Sequence, residues 1–196
     1  MLITGQSLEE YFKKALCDAF KRTAVQVTEN TEAYLVSLLS EFTRSENAFA
    51  GVAYGEKPAL VLLWHRAEEA NASESVRILK HLGDSSLYTL GFFRDSKNTQ
   101  FLGTSYYATW GEAAYNRLAS TIRSQAAANA ALYAELAERF VDLAEVLRCI
   151  SQESLANLSD PVQLIELIEQ YKRTKDPKLL EQLEYLGVVV QTAGIN

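Results

Sequence analysis

His81, Asp84 and Tyr88 stand at i, i+3 and i+7, which brings them to one side of the chain if the chain is helical there. An imidazole beside a carboxylate can have its tautomer fixed, or can move protons in acid–base chemistry. The competing reading is structural: Asp84 caps a helix after Gly83, and the other two are satisfied core polar groups. Tyr106, Tyr107, Trp110 and Tyr115 follow at helical spacing. Together these seven residues are the candidate ligand-binding set. An aromatic stripe of this kind is more often core than a cofactor box, and no catalytic residue is assigned. If the helix runs on through Gly83, Asp84 is expected to be buried. Its partner is then the backbone or a hydroxyl of Tyr106, Tyr107 or Tyr115, because an unsatisfied buried polar group costs about 1–3 kcal/mol.

Other constellations fall short of a site. His65 with Glu68 and Glu69 has metal-capable helical spacing. It lacks the second Glu-x-x-His that a di-iron bundle needs, and no H-E-x-x-H exists. It reads as an ion-paired surface helix end, so no metal is expected. Ser85 and Ser86 are not in a G-x-S-x-G elbow. No Gly-rich phosphate loop occurs, and no cofactor is implied. Glu135, Glu138, Asp142 and Glu145 read as a solvated helix face.

These residues must be positioned by helices. The stretch from Arg77 to Tyr115 also carries Phe92, Phe93 and Phe101 and four of the nine glycines, so it reads as the centre of the core. Ahead of it, Ser7 and Glu10 form a capping box for a helix over 8–23, with Phe12, Leu16 and Phe20 on its apolar face. Residues 24–30 connect to a second helix that starts at Thr28 or Thr31, bears Leu35, Leu38, Leu39 and Phe42, and ends near Ser45. A loop follows over 46–57. The run at 59–64 is apolar all round. Its length and its charged continuation favour helix over strand, with Pro58 in the first turn.

Ser73 opens the central helix, and Gly83 either breaks it or is tolerated inside it. Residues 94–100 read as a loop, and a helix begins at Thr104. The alanine-rich 125–132 is a connection or a continued helix. Leu132, Leu136, Phe140, Leu143, Leu147 and Ile150 then make the longest clean stripe. Pro161 starts a helix bearing Ile165, Ile168 and Tyr171. Asp176 and Pro177 start a short one that Gly187 closes, and an apolar tail ends the chain. The expected fold is all-α: a single-domain helical bundle of about seven or eight helices around a central aromatic-rich helix pair. It spans 1–196, with 176–196 the part that could sit at the periphery.

Composition bounds the partners. A formal charge of −6 argues against non-specific binding to nucleic acid or anionic membrane. No apolar stretch approaches membrane-spanning length, and the start MLITGQSLEE lacks the marks of a signal peptide. Cys17 and Cys149 read as a reduced pair of small apolar residues in a cytoplasmic protein.

Several segments carry a family likeness: YLVSLLSEF at 34–42, LKHLGDSSLYTLGFF at 79–93, the Tyr106–Tyr107 pair, Gly111 with Tyr115, YAELAERF at 133–140, and the ending from Glu169 to Val189. In these the chain resembles a widespread bacterial family of hypothetical proteins with no assigned activity. The resemblance implies a bacterial cytosolic protein and transfers no functional residues.

Two functions are consistent with the sequence. One is a non-catalytic cytosolic helical module that binds a protein partner or itself. A homodimer is favoured by the apolar 59–64 run and the apolar tail. The other is a helical protein, catalytic or not, that holds a small apolar or planar ligand in an aromatic-lined core pocket.

Overall fold

The computed structural model describes residues 8–44, 60–94 and 97–158, together with Tyr171, Thr174, Asp176 and Leu179. Within these residues the chain is helical and has no strand. The helices are α1 (Leu8–Thr23), α2 (Glu29–Arg44), α3 (Leu60–Glu69), α4 (Ala72–Phe92), α5 (Lys97–Leu102), α6 (Thr104–Ile122), α7 (Ala127–Glu138) and α8 (Phe140–Leu158). The chain divides into two compact units, Met1–Ile150 and Ser151–Asn196. Every candidate side chain lies in the first.

The pairing of α4 with α6 is the most extensive among the described helices. Three glycines make the helix approaches close. A Cβ on Gly83 would sit 2.5 Å from Tyr115 Cε1, and one on Gly91 would sit 2.5 Å from Leu147 Cβ. A Cβ on Gly111 would collide with the Phe140 ring. Gly83 therefore lies inside α4 because Tyr115 occupies its side-chain space. This contact outweighs the ~1 kcal/mol that glycine costs a helix relative to alanine, and the reading of Asp84 as a cap after a break at Gly83 is overturned.

The buried apolar residues form two clusters. The larger joins Phe12, Leu16, Leu35, Leu39, Leu87, Tyr115, Phe140, Leu143 and Leu147. The smaller joins Ala67, Leu79, Leu82, Ala114 and Leu118, with half-buried Trp64 and Trp110 packed against it. Helix α4 serves both, its first half in the smaller cluster and its second half in the larger. Asp84 stands between the two halves.

Local chemistry sets the boundaries. At the end of α1, Ala24 takes φ 54°, a left-handed turn that usually favours glycine. Thr28 opens α2: its carbonyl accepts from the Glu32 N–H at 3.0 Å. Asn71, rather than Ser73, caps α4, its Oδ1 accepting from the Glu74 N–H at 3.0 Å. The expected 94–100 loop holds the start of the short helix α5.

The stripe from Leu132 to Ile150 is interrupted at Arg139, so α7 and α8 are separate helices. Its apolar residues stay on one side nonetheless, with Leu136, Phe140, Leu143, Leu147 and Ile150 all buried. Both cysteines are free thiols, Cys149 half-buried and Cys17 exposed. The capping box at Ser7, the 46–57 loop, Pro58, the helices expected after Pro161 and Pro177 (apart from the four residues named above) and the apolar tail lie outside the described residues.

Candidate functional site

The polar centre of the first unit is Asp84. It is 4% exposed, although it carries a carboxylate. Helix α4 brings it up to α2 and α6. Its Oδ1 accepts from the Tyr34 hydroxyl at 2.6 Å and from the Tyr115 hydroxyl at 2.7 Å. Its Oδ2 accepts from Lys80 Nζ at 2.6 Å, one helical turn earlier. The Lys80 ammonium also lies 5.4 Å from the centre of the Tyr34 ring. Tyr133 of α7 completes the surround, stacking on Tyr115 at 5.9 Å and meeting Tyr34 edge-on at 5.7 Å.

The chemistry of this group is closed. Burying an unpaired carboxylate costs several kcal/mol, and here one cation and two hydroxyls offset that cost. Burial, and then the Asp84 charge, hold the Tyr34 and Tyr115 phenols well above the ordinary tyrosine range. Burial alone would lower the Lys80 ammonium, but the facing Asp84 carboxylate raises it. At neutral pH the phenols thus keep their protons and the lysine keeps its charge. Neither becomes a base or a nucleophile. The arrangement ties α2, α4 and α6 together.

Asp84 and Tyr115 are the members of the sequence-derived set that bond to each other. The others scatter. His81 is exposed, with its Nδ1 3.5 Å from Ser85 Oγ, and takes no part in the Asp84 group. Tyr88 is buried, but its ring stacks on Phe42 at 4.5 Å and on Phe92 at 4.9 Å. The Tyr106 hydroxyl accepts from the Leu60 N–H at 3.1 Å and so satisfies a free donor at the start of α3. Tyr107 is buried and interacts with Thr99. Trp110 lies 5.7 Å from Trp64 on the side of the smaller cluster. Among the described residues these rings pack against different neighbours: Tyr88 against Phe42 and Phe92, Trp110 beside Trp64, and Tyr106 against Tyr107.

Sequence reasoning missed Tyr34, Lys80 and Tyr133. Lys80 was within reach of it, since Lys and Asp at i and i+4 are helix-surface neighbours. Tyr34 lies fifty positions away, and nothing local announces it.

The acidic face of α7 and α8 also departs from expectation. Glu135 is not merely solvated: its Oε2 accepts from the Thr28 and Thr31 hydroxyls, both at 2.5 Å, and its Oε1 from the Thr28 N–H at 3.0 Å. Partial burial would raise this carboxyl, but the threonine hydrogen bonds win and hold it below the usual carboxylate range. A carboxylate at the N-terminus of α2 also complements that helix's dipole. Glu145 is gripped by Arg148, at 2.6 Å from Nη2, and also meets Arg94 at 3.3 Å. His65 pairs with Glu68 at 3.3 Å on the surface. Among the described residues, no three His, Cys, Asp or Glu side chains converge on a metal-sized site. None of the described helices is long and apolar enough to cross a membrane.

Comparison with known proteins brings no match: no family model, curated protein or solved structure is similar to this chain at a significant level.

Proposed function

We propose that the protein is a non-catalytic helical module whose apolar surface is covered by a protein partner, and that this partner is a second copy of itself. The observation that carries this reading is α3. Its sequence, LVLLWHRAEE, opens on the most apolar run in the chain, yet Ala67 is the residue it buries fully and Leu62 remains 53% exposed. Phe101, on α5, is 89% exposed beside Leu102. Large apolar side chains left outside a filled core mark interaction surfaces when they cluster. Two-fold dimers are the commonest soluble assembly. The closed Asp84 group supports the same reading, because it offers substrate no free acid, base or nucleophile. A bacterial, cytoplasmic setting remains part of this proposal.

Light scattering on the purified chain at micromolar concentration tests it. The expected mass is twice the 21.9 kDa of one chain. Leu62→Glu is expected to shift the mass to that of one chain without lowering the melting temperature. A monomer mass for the unaltered protein overturns the reading.

A further inference from the structure

We draw no further inference here: the strongest candidate, the exposed apolar patch of Phe101 and Leu102 at the end of α5, carries nothing beyond the surface already proposed for self-association, because nothing in the structure shows what covers it.

Discussion

The Asp84 centre and the Trp64 side share a helix, and they treat charge in opposite ways. At Asp84 every strong polar group is consumed: one carboxylate meets a lysine and two tyrosines, and a third ring, Tyr133, packs against them. About one and a half turns earlier on α4, Leu79 lines a half-open groove where Glu68 and Arg117 stand exposed to solvent. The Asp84 region reads as functional in sequence because it concentrates an acid, a base and phenols. Its geometry makes it a fastening. The Trp64 side reads as ordinary in sequence, as alanines, a serine, a glutamate and an arginine, yet its charges stay in solvent. Clustering of reactive residue types is therefore a poor guide to availability. What decides is whether each group already has a partner.

That contrast can be broken by mutation, and the largest effect belongs to the fastening. Asp84→Ala strands two tyrosine hydroxyls and a half-buried ammonium, and it should lower stability by about 3–5 kcal/mol, the cost of breaking a buried charge pair. Chemical denaturation would read this directly. Asp84→Asn keeps an acceptor for the hydroxyls and should lose less.

Gly83→Ala comes next. Alanine adds about 1 kcal/mol of helix propensity. Its methyl group, however, would meet Tyr115 Cε1 at 2.5 Å, on a ring pinned by Phe140, Tyr133 and Asp84. Overpacking of this kind costs about 1–3 kcal/mol, so the net change should be a loss. A gain in melting temperature would show that the two helices are not held together at Tyr115.

Glu135→Ala should cost about 0.5–2 kcal/mol, the scale of a lost helix N-cap contact, and the loss should appear first as earlier exchange of the α2 amides. On the Trp64 side, Arg117→Gln should stay within about 0.5 kcal/mol of the parent, as exposed substitutions do.

The pH dependence separates the same regions. The folded-state values of Tyr34, Tyr115 and Lys80 are raised. Their contribution is therefore fully present below the unfolded values, near pH 10, and is lost as pH rises beyond them. The folded values of Glu135 and Glu145 are lowered. Their contribution is present above about pH 4.5 and is lost as pH falls through the folded values. Melting temperatures across the alkaline range should fall more steeply in the parent than in Tyr115→Phe, and Glu135→Gln should flatten the acid side.

The pattern of what was legible follows from distance along the chain. Helix type and the apolar stripes are local properties, so α1, α2, α6 and the stripe through Phe140 and Leu147 were readable. The Asp84–Tyr115 bond was readable as one of four options, the backbone and three tyrosine hydroxyls, because it joins two central helices whose facing glycines announce a close approach. His81 was misplaced by angle: a residue three positions before Asp84 is turned about 60° from it, whereas Lys80, four before, is only about 40° away on the other side. The packing of α2 and α6 on α4 turned that difference into burial for the Asp84 side and solvent for His81. Tyr34 and Glu135 gained their roles through contacts spanning 50 and 107 positions, between Tyr34 and Asp84 and between Thr28 and Glu135, which no local pattern encodes. The break at Arg139 has neither proline nor glycine to mark it.

The most direct test of the fastening is a double-mutant cycle between Asp84 and Tyr115, from chemical denaturation of the parent, Asp84→Ala, Tyr115→Phe and the double variant. A hydrogen bond to a buried charge predicts a coupling of about 1.5–3 kcal/mol between the two sites. Losses that simply add, to within about 0.5 kcal/mol, would contradict it.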